Sequence, residues 1–532
     1  MQQFGISGIF SDFQGVQVQG IMAKTTKRRA PRSEYISPSQ LTLVGFETPF
    51  YNQLDPDNRW VVLSNQIPWD ELVGLFLKHN PVRQTGRPSL NPRILIGAVI
   101  IKHILNLDDR ETVAQITENM YLQYFLGYSS YTKEAPFDPS LFVDIRKRLS
   151  EELIAEMNEK IHGFSMERSA SNPDKDKKDN GPSGGEGVSH KGEVIFDATV
   201  CPQDIAYPTD IGLLNKAREI SEEIIDELHY KNRVGKKPRT YREKARKTYL
   251  KVAQNKNPSK KTIRKGIKAQ LEYLRRNFKT IEKQLDGFES FPLEHKLQRQ
   301  YWIIQTLYMQ QLGMYKDKTH QVDDRIVSIH EPHVRPIVRG KARAKTEFGA
   351  KIHLSMVDGY SFLDKVSWDA YNEGSQLTEY VENYRERFGF YPAKVLADKL
   401  YCSRENRKWL KEKGIKLAAK PMGRPSAKAV ENHVSPGERN PIEGKFGQAK
   451  NGYGMNRVRA RLKDTSQSWI ASIILVLNLV KLAGEALLWL GFSAWEDLKA
   501  AILHSVKNIL DDIKQKNQLR IKSGLVLNKM LI

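Results

Sequence analysis

Apolar residues recur at helical spacing over the first third of the chain. Between positions 68 and 164 they return every three or four residues, and each run follows a residue that favours a helix start. The starting residues are Asp70, Asn91-Pro92, Asp108 and Asp138-Pro139. We therefore predict an all-α domain over 61–165, preceded over 1–60 by a basic, partly disordered arm.

Short apolar runs typical of strands begin after a segment, 166–191, that is rich in Ser, Gly, Pro, Asp and Lys and predicts a flexible linker. The runs are EVIFDA, DRIVSIH, EFGAKIHLSMVDGY, FLDKVSW, AKVLAD and IKLAAKP. Helical patterns occur in SQLTEYVENYRERF, in RENRKWLKEKG and from Asn440-Pro441 onward. Between the first two strands lies a long helical pattern, 213–319, which we interpret as an inserted set of helical hairpins.

Without that insertion, a group of strands is followed by helix, strand, helix, strand, helix. This is the order of a ribonuclease-H-like α/β domain, a mixed sheet with flanking helices. We assign 192–212 and 320–495 to this domain and 496–532 to a C-terminal helical tail.

The most apolar segment begins at Trp469 and is interrupted by Asn478, Lys481 and Glu485. Its uninterrupted part is shorter than a membrane span requires, so a buried helix is favoured over a membrane segment. The N-terminus lacks the pattern of a secretory signal, and two cysteines, Cys201 and Cys402, form no disulfide framework or zinc motif. These features predict a cytoplasmic protein without a membrane partner.

The net charge of the chain is large and is concentrated in one segment, which indicates the kind of partner the protein binds. The 532 residues carry a formal net charge of +22, and the pI is near 9.6. The stretch 231–280 holds 19 Lys or Arg and two acidic residues, a net charge of +17. Dense positive charge favours a polyanion such as DNA, so we interpret this stretch as a DNA-binding arm, with a solvated helical hairpin as the alternative.

Three carboxylates have the placement that two-metal phosphoryl transfer needs. Asp197 lies in the first predicted strand, Asp398 ends the strand AKVLAD, and Glu443 lies near the start of the last predicted helix. Such chemistry requires carboxylates that converge on a pair of divalent ions. An isolated Asp at a strand end is usually a turn or cap residue, but three in this order favour a metal site.

Arg439 and Lys450 flank Glu443 in the pattern R-x3-E-x6-K. With FDATVCPQDIAYPTD, SWDAYNEG and ADKLYCSRENRKWL, this pattern resembles the bacterial insertion-sequence DDE transposases, although Pro436 stands where that family often has a tyrosine. LNPRILIGAVIIKHI and ENMYLQYFLG resemble the helical N-terminal DNA-binding domain of the same family.

The resemblance implies that Asp197, Asp398 and Glu443 are the catalytic metal ligands for two Mg²⁺ or Mn²⁺ ions. The implied substrates are double-stranded DNA bearing the element's terminal inverted repeats and the target DNA, bound by a homodimer. A structure-specific nuclease and a DNA-binding regulator without catalysis are the alternatives.

Further DNA contacts are predicted from basic residues outside the acidic triad. Arg83, Arg87 and Arg93 lie in a Gly/Pro-rich segment before a helix, where they either grip phosphates or belong to a solvated loop. GKARAK at 340–345 and RVRARLK, which contains Arg457 and Arg459, are suited to line the DNA track.

Several other residues have plainer interpretations. We favour structural or DNA-facing roles over a metal site for His330, His333 and His353, and core packing over base stacking for Trp368. We interpret Cys201 as a buried small apolar residue. Capping is the expected role of four further acids: Asp204, Asp210, Asp358 and Asp364.

Overall fold

The computed structural model describes residues 35, 37, 50, 54–81, 88–170, 190–232, 235–338, 346–419 and 436–485. Several predictions concern segments outside the described residues. These are Arg83, Arg87, the GKARAK segment, most of the arm at 1–60, most of the linker at 166–191, and the tail at 496–532.

Seven helices precede the first strand in the described residues. They are α1 (Arg59–Gln66), α2 (Trp69–His79), α3 (Pro92–Ile104), α4 (Asp109–Glu118), α5 (Met120–Phe125), α6 (Phe142–Arg148) and α7 (Glu151–Ala170). The predicted caps at Asn91 and Asp108 are confirmed, because each side chain accepts a hydrogen bond from the first turn of its helix.

Two predicted continuous helices are divided. Asn119 ends α4 and its side chain caps α5, and Leu149 has a non-helical backbone between α6 and α7. The apolar spacing continues through both breaks, so the periodicity alone does not reveal them.

The six described strands form one sheet: β1 (Glu193–Pro202), β2 (Arg335–Val338), β3 (Thr346–Val357), β4 (Tyr360–Ser367), β5 (Lys394–Leu396) and β6 (Lys416–Ala418). β3 lies antiparallel to β1, β2 and β4, while β5 runs parallel to β1 and to β6. The predicted hairpin between β3 and β4 is confirmed, since Asp358 and Gly359 both have positive φ angles. The protein is therefore a mixed α/β structure.

The predicted strand DRIVSIH is wrong. Residues 325–330 pair with no strand among the described residues, and the short strand of this region is β2. Ile326 and Ile329 are buried in the core of the inserted helices, whereas Val327 is buried against the sheet. The alternating apolar pattern thus reflects a segment that lies between two cores.

The helices between β1 and β2 build a separate core. They are α8 (Asp210–Asn232), α9 (Arg242–Ala253), α10 (Lys260–Leu285) and α11 (His295–Asp317). Leu214 and Ile224 of α8 pack with Leu274 of α10 and Ile304 of α11.

Four helices complete the described part of the chain: α12 (Leu377–Phe388), α13 (Arg404–Glu412), α14 (Asn440–Gly452) and α15 (Lys463–Glu485). By length and composition alone, α15 is the one helix of the described residues that qualifies as a membrane span. Of its apolar window, 72% is buried inside the protein. Its polar residues have partners there, because Asn478 hydrogen-bonds both Ser361 and Asn158. These contacts are those of a core helix.

The N-terminal helices and the sheet share one hydrophobic core. Phe142 and Met157 of the helices belong to the same buried cluster as Phe196 and Tyr360 of the sheet. A second cluster, on the other face of the sheet, joins β1 and β3 to α14 and α15. The face covered by α14 carries the candidate site.

Candidate active site

Asp197 lies within β1, and Asp398 lies two residues beyond the end of the neighbouring parallel strand β5. Glu193, Val194 and Ile195 of β1 pair with Lys394, Val395 and Leu396 of β5, and the same register continued by two residues sets Asp197 beside Asp398. Strand packing holds this register, because Val194, Val395 and Leu396 are buried. The structure thus brings together two of the three predicted acids.

Arg439 lies between these two aspartates. Its guanidinium nitrogens are 3.3 Å from an Asp197 carboxylate oxygen and 3.5 Å from one of Asp398. The residue is at the end of a short 3-10 helix, Pro436–Arg439, which leads directly into α14. Two carboxylates therefore face a single positive charge at this sheet edge.

Lys394 of β5 links that 3-10 helix to the sheet through two ion pairs. Its ammonium lies 3.2 Å from Glu438 and 3.1 Å from Glu193 on the adjacent strand. Burial lowers the pKa of Lys394, but the hydrogen bonds to both glutamates outweigh this effect and hold the pKa above its ordinary value. The contact fixes the backbone next to Arg439.

Burial raises the pKa of Asp197, because removal from water disfavours its charged form. The Ala198 N–H and Arg439 lower this pKa, whereas the carboxylates of Glu373 and Asp398 raise it. An acid in such surroundings favours a nearby cation.

Lys450 reaches the same face of the sheet from the last turn of α14. Its ammonium donates to the Thr199 hydroxyl at 2.8 Å. Thr199 is two residues after Asp197 on β1, so both side chains point to the α14 side. Arg439 and Lys450 thus contact β1 two residues apart, at Asp197 and at Thr199.

Glu443 lies in the first turn of α14, one turn after Arg439, and is exposed. The structure does not gather it with the two aspartates: within the described ranges, no three His, Cys, Asp or Glu side chains are close enough to hold a metal ion.

Glu373, which no sequence pattern singled out, influences Asp197 electrostatically. It lies in the 3-10 helix Glu373–Gln376 after β4, and its carboxylate is 2.6 Å from the ammonium of Lys351 on β3. Its segment is held in place by Asn406 of α13, which donates to the Gly374 carbonyl. Its place in the segment SWDAYNEG was the only signal available in the sequence.

The predicted DNA-contacting arginines have different environments. Arg457 and Arg459 are exposed beside the end of β1, where Val458 pairs with Gln203, and Arg457 forms a 2.9 Å ion pair with Asp204. The hypothesis that Arg93 grips a phosphate is wrong, because its side chain is 8% exposed and donates to the Phe125 carbonyl inside the helical domain.

Three of the residues given plainer roles are now placed. His353 forms a fully buried 2.9 Å pair with Asp364, so the capping role expected for Asp364 is wrong. Trp368 is 6% exposed and packs edge-on against His333, which confirms core packing. Cys201 is buried, as expected.

Two family models, both of transposase domains, match parts of the chain. A family model described as "Transposase DDE domain" matches residues 395–480, which include Asp398, Arg439, Glu443 and Lys450. A second model, "Transposase domain (DUF772)", matches residues 48–148. The chain is 30% identical over 170 residues to "Uncharacterized protein ORF8 in nfe locus" of Rhizobium meliloti, covering 31% of this chain and 72% of that protein. No solved structure matches the chain.

Proposed function

Because this chain belongs to the insertion-sequence DDE transposases, we propose that it cuts and joins DNA at a site built from Asp197, Asp398 and Glu443. The observation that carries the proposal is the placement of Asp197 on β1 and of Asp398 just after β5, its parallel neighbour, with one guanidinium in contact with both carboxylates. Rigid strands are suited to hold carboxylates that must not move during phosphoryl transfer.

The donor set fits a divalent metal. Carboxylate oxygens are the ligands that Mg²⁺ and Mn²⁺ prefer, and a positive group already lies between the two aspartates. Asp197, Asp398 and Glu443 would hold two such ions, which when bound supply an activated oxygen nucleophile and charge stabilisation at the phosphorus.

The remaining groups bind and orient DNA. Arg439 already contacts both acids, at 3.3 and 3.5 Å, so its guanidinium is placed to bind a phosphate oxygen that enters the site. Lys450 is held by Thr199, which directs its charge toward the same strand. We assign both to the terminal phosphates of the element.

The wider architecture supports this proposal. The path β4-β3-β1-β5-β6, with β3 antiparallel and the rest parallel to β1, has the strand arrangement expected of a ribonuclease-H-like domain. We propose that the N-terminal helices and the basic insertion contact double-stranded DNA, namely the terminal inverted repeats and the target. A homodimer that holds two ends, acting in the cytoplasm, completes the proposal.

The test is metal-dependent cleavage and strand transfer on duplexes carrying the repeats that flank the element. Wild type is compared with Asp398→Asn and with a control, Asp369→Asn, whose side chain is 75% exposed and contacts Arg335 at 3.8 Å. Joining by wild type and the control, lost in Asp398→Asn, is expected. Cutting without joining would favour a nuclease, and binding without chemistry would favour a regulator.

A further inference from the structure

The outer face of α10 carries a straight row of basic side chains. Seven positions recur every three or four residues, so they follow one side of the helix. They are Lys261, Lys265, Lys268, Glu272, Arg276, Lys279 and Lys283. Six of the seven are basic, and we call these six the α10 row.

The opposite side of α10 is buried, which fixes the row toward solvent. Leu271, Leu274, Phe278 and Ile281 pack into the core of the insertion. α9 covers one flank, where Gln270 donates to the Ala245 carbonyl. The row lies on neither of these sides, and all its members are exposed.

Acidic side chains neutralise the neighbouring basic residues but not the row. Arg242 and Lys237 both pair with Asp226 of α8, at 2.6 and 3.0 Å. Glu272, the acid within the stripe, pairs with Arg275 at 2.6 Å. Within the described part of the chain, no member of the row forms an ion pair. Like charges one turn apart repel one another, so the row favours an external polyanion.

The side chain of one member of the row, Arg276, is held in place by two aromatic rings. The Arg276 guanidinium lies 4.8 Å from the ring centres of both Tyr241 and Tyr273. Stacking against two rings restricts the side chain without using up its charge. Preorganisation of this kind lowers the entropic cost of binding an anion.

The length of the row matches duplex DNA. Lys261 and Lys283 are 22 residues apart, or about 33 Å along an α-helix, which is close to the roughly 34 Å of one turn of B-DNA. We propose that the α10 row binds the phosphate backbone of double-stranded DNA over one helical turn. The side chains are nearly all lysine, which suits backbone contact rather than base recognition. This proposal rests on the proposed function, because it takes the transposase's own DNA as the ligand.

The test uses the full chain with Lys261, Lys265, Lys268 and Lys279 changed together to Gln, beside a matched variant with all four changed to Arg. Gln keeps helix propensity and removes charge, while Arg keeps both. Binding to element-end duplex and to unrelated duplex is measured by fluorescence anisotropy over a range of salt. Each lost phosphate contact reduces the slope of log affinity against log salt by about 0.9. We expect the Gln variant to lose about 3 to 4 units of slope on both duplexes, and the Arg variant to keep the wild-type slope.

Two results would overturn the proposal: a wild-type slope in the Gln variant, or the same reduced slope in the Arg variant. Cleavage and joining by the same proteins at low salt separates this proposal from the proposed function. If wild type does neither, the proposed function fails, while the slope difference still reports on the α10 row.

Discussion

The ion pair between buried Lys102 and half-buried Asp109 makes the strongest stability prediction. Lys102 of α3 is 2% exposed and lies 2.9 Å from Asp109, which also accepts two hydrogen bonds from Arg146. The Lys102 ammonium also lies 4.8 Å from the ring of Trp469 on α15. The pair therefore stands where the N-terminal helices meet the helix beneath the candidate active site.

Replacing Asp109 by Asn leaves the Lys102 charge buried without a counter-charge. Removing one partner of a buried pair costs about 3–5 kcal/mol. Lys102→Met leaves Asp109 paired with Arg146 and loses mainly one hydrogen bond to the Leu107 carbonyl, so we expect a cost of about 1 kcal/mol. The control is Asp144→Asn, because Asp144 is 61% exposed and its pair with Lys147 should contribute less than about 0.5 kcal/mol.

Urea unfolding followed by tryptophan fluorescence measures these differences. Burial lowers the pKa of Lys102, and Asp109 partly offsets this, so Asp109→Asn should lower it further. Above the folded-state pKa, the unfolded chain binds more protons than the folded chain, so stability rises with pH up to about 10. The loss in Asp109→Asn should therefore shrink toward pH 10. The reasoning would be refuted if Asp109→Asn lost no more stability than Asp144→Asn, or if Lys102→Met lost as much stability as Asp109→Asn.

Three further predictions concern single buried or bridging groups. Burial raises the pKa of Glu331 to about 7, so the free energy of unfolding of wild type should fall as the pH rises from 4.5 to 7. Measured by thermal unfolding, Glu331→Gln should be more stable than wild type by on the order of 3 kcal/mol above pH 7 and equally stable below pH 4.5. Asn478→Leu should lower the free energy of unfolding by about 3 kcal/mol or more in the same measurement, because it removes the hydrogen bonds to the Ser361 backbone and to Asn158. A loss of stability below about 1 kcal/mol would contradict this. Arg439→Gln should tighten calorimetric Mn²⁺ binding several-fold while slowing DNA cleavage, and unchanged or weaker Mn²⁺ binding would contradict the bridging role.

The acid pair can be predicted from the sequence because each acid stands beside a short apolar run that is recognisable locally. Asp197 follows the apolar residues 194–196 within β1, and Asp398 comes two residues after β5, so pairing of these two parallel strands brings the acids together. The hairpin at Asp358-Gly359 is equally local, since both residues tolerate positive φ.

The contacts that shape the site are not local. Glu373 and Thr199 influence Asp197 and Lys450 through packing between elements that are distant in sequence. The segment DRIVSIH shows the same limit, because burial between two cores produces the alternation of a strand without strand pairing. Asp364 appeared to be a cap, and only the structure reveals its buried partner His353.

Glu443 is the part of the proposed triad that the structure leaves apart, so it offers the most direct test. Metal-dependent cleavage and joining of element-end DNA is measured for wild type, Glu443→Gln and the control Glu412→Gln, whose side chain is 61% exposed on α13. A metal contribution of several kcal/mol predicts a loss of roughly a thousandfold in Glu443→Gln and none in the control. Wild-type rates in Glu443→Gln would contradict the account.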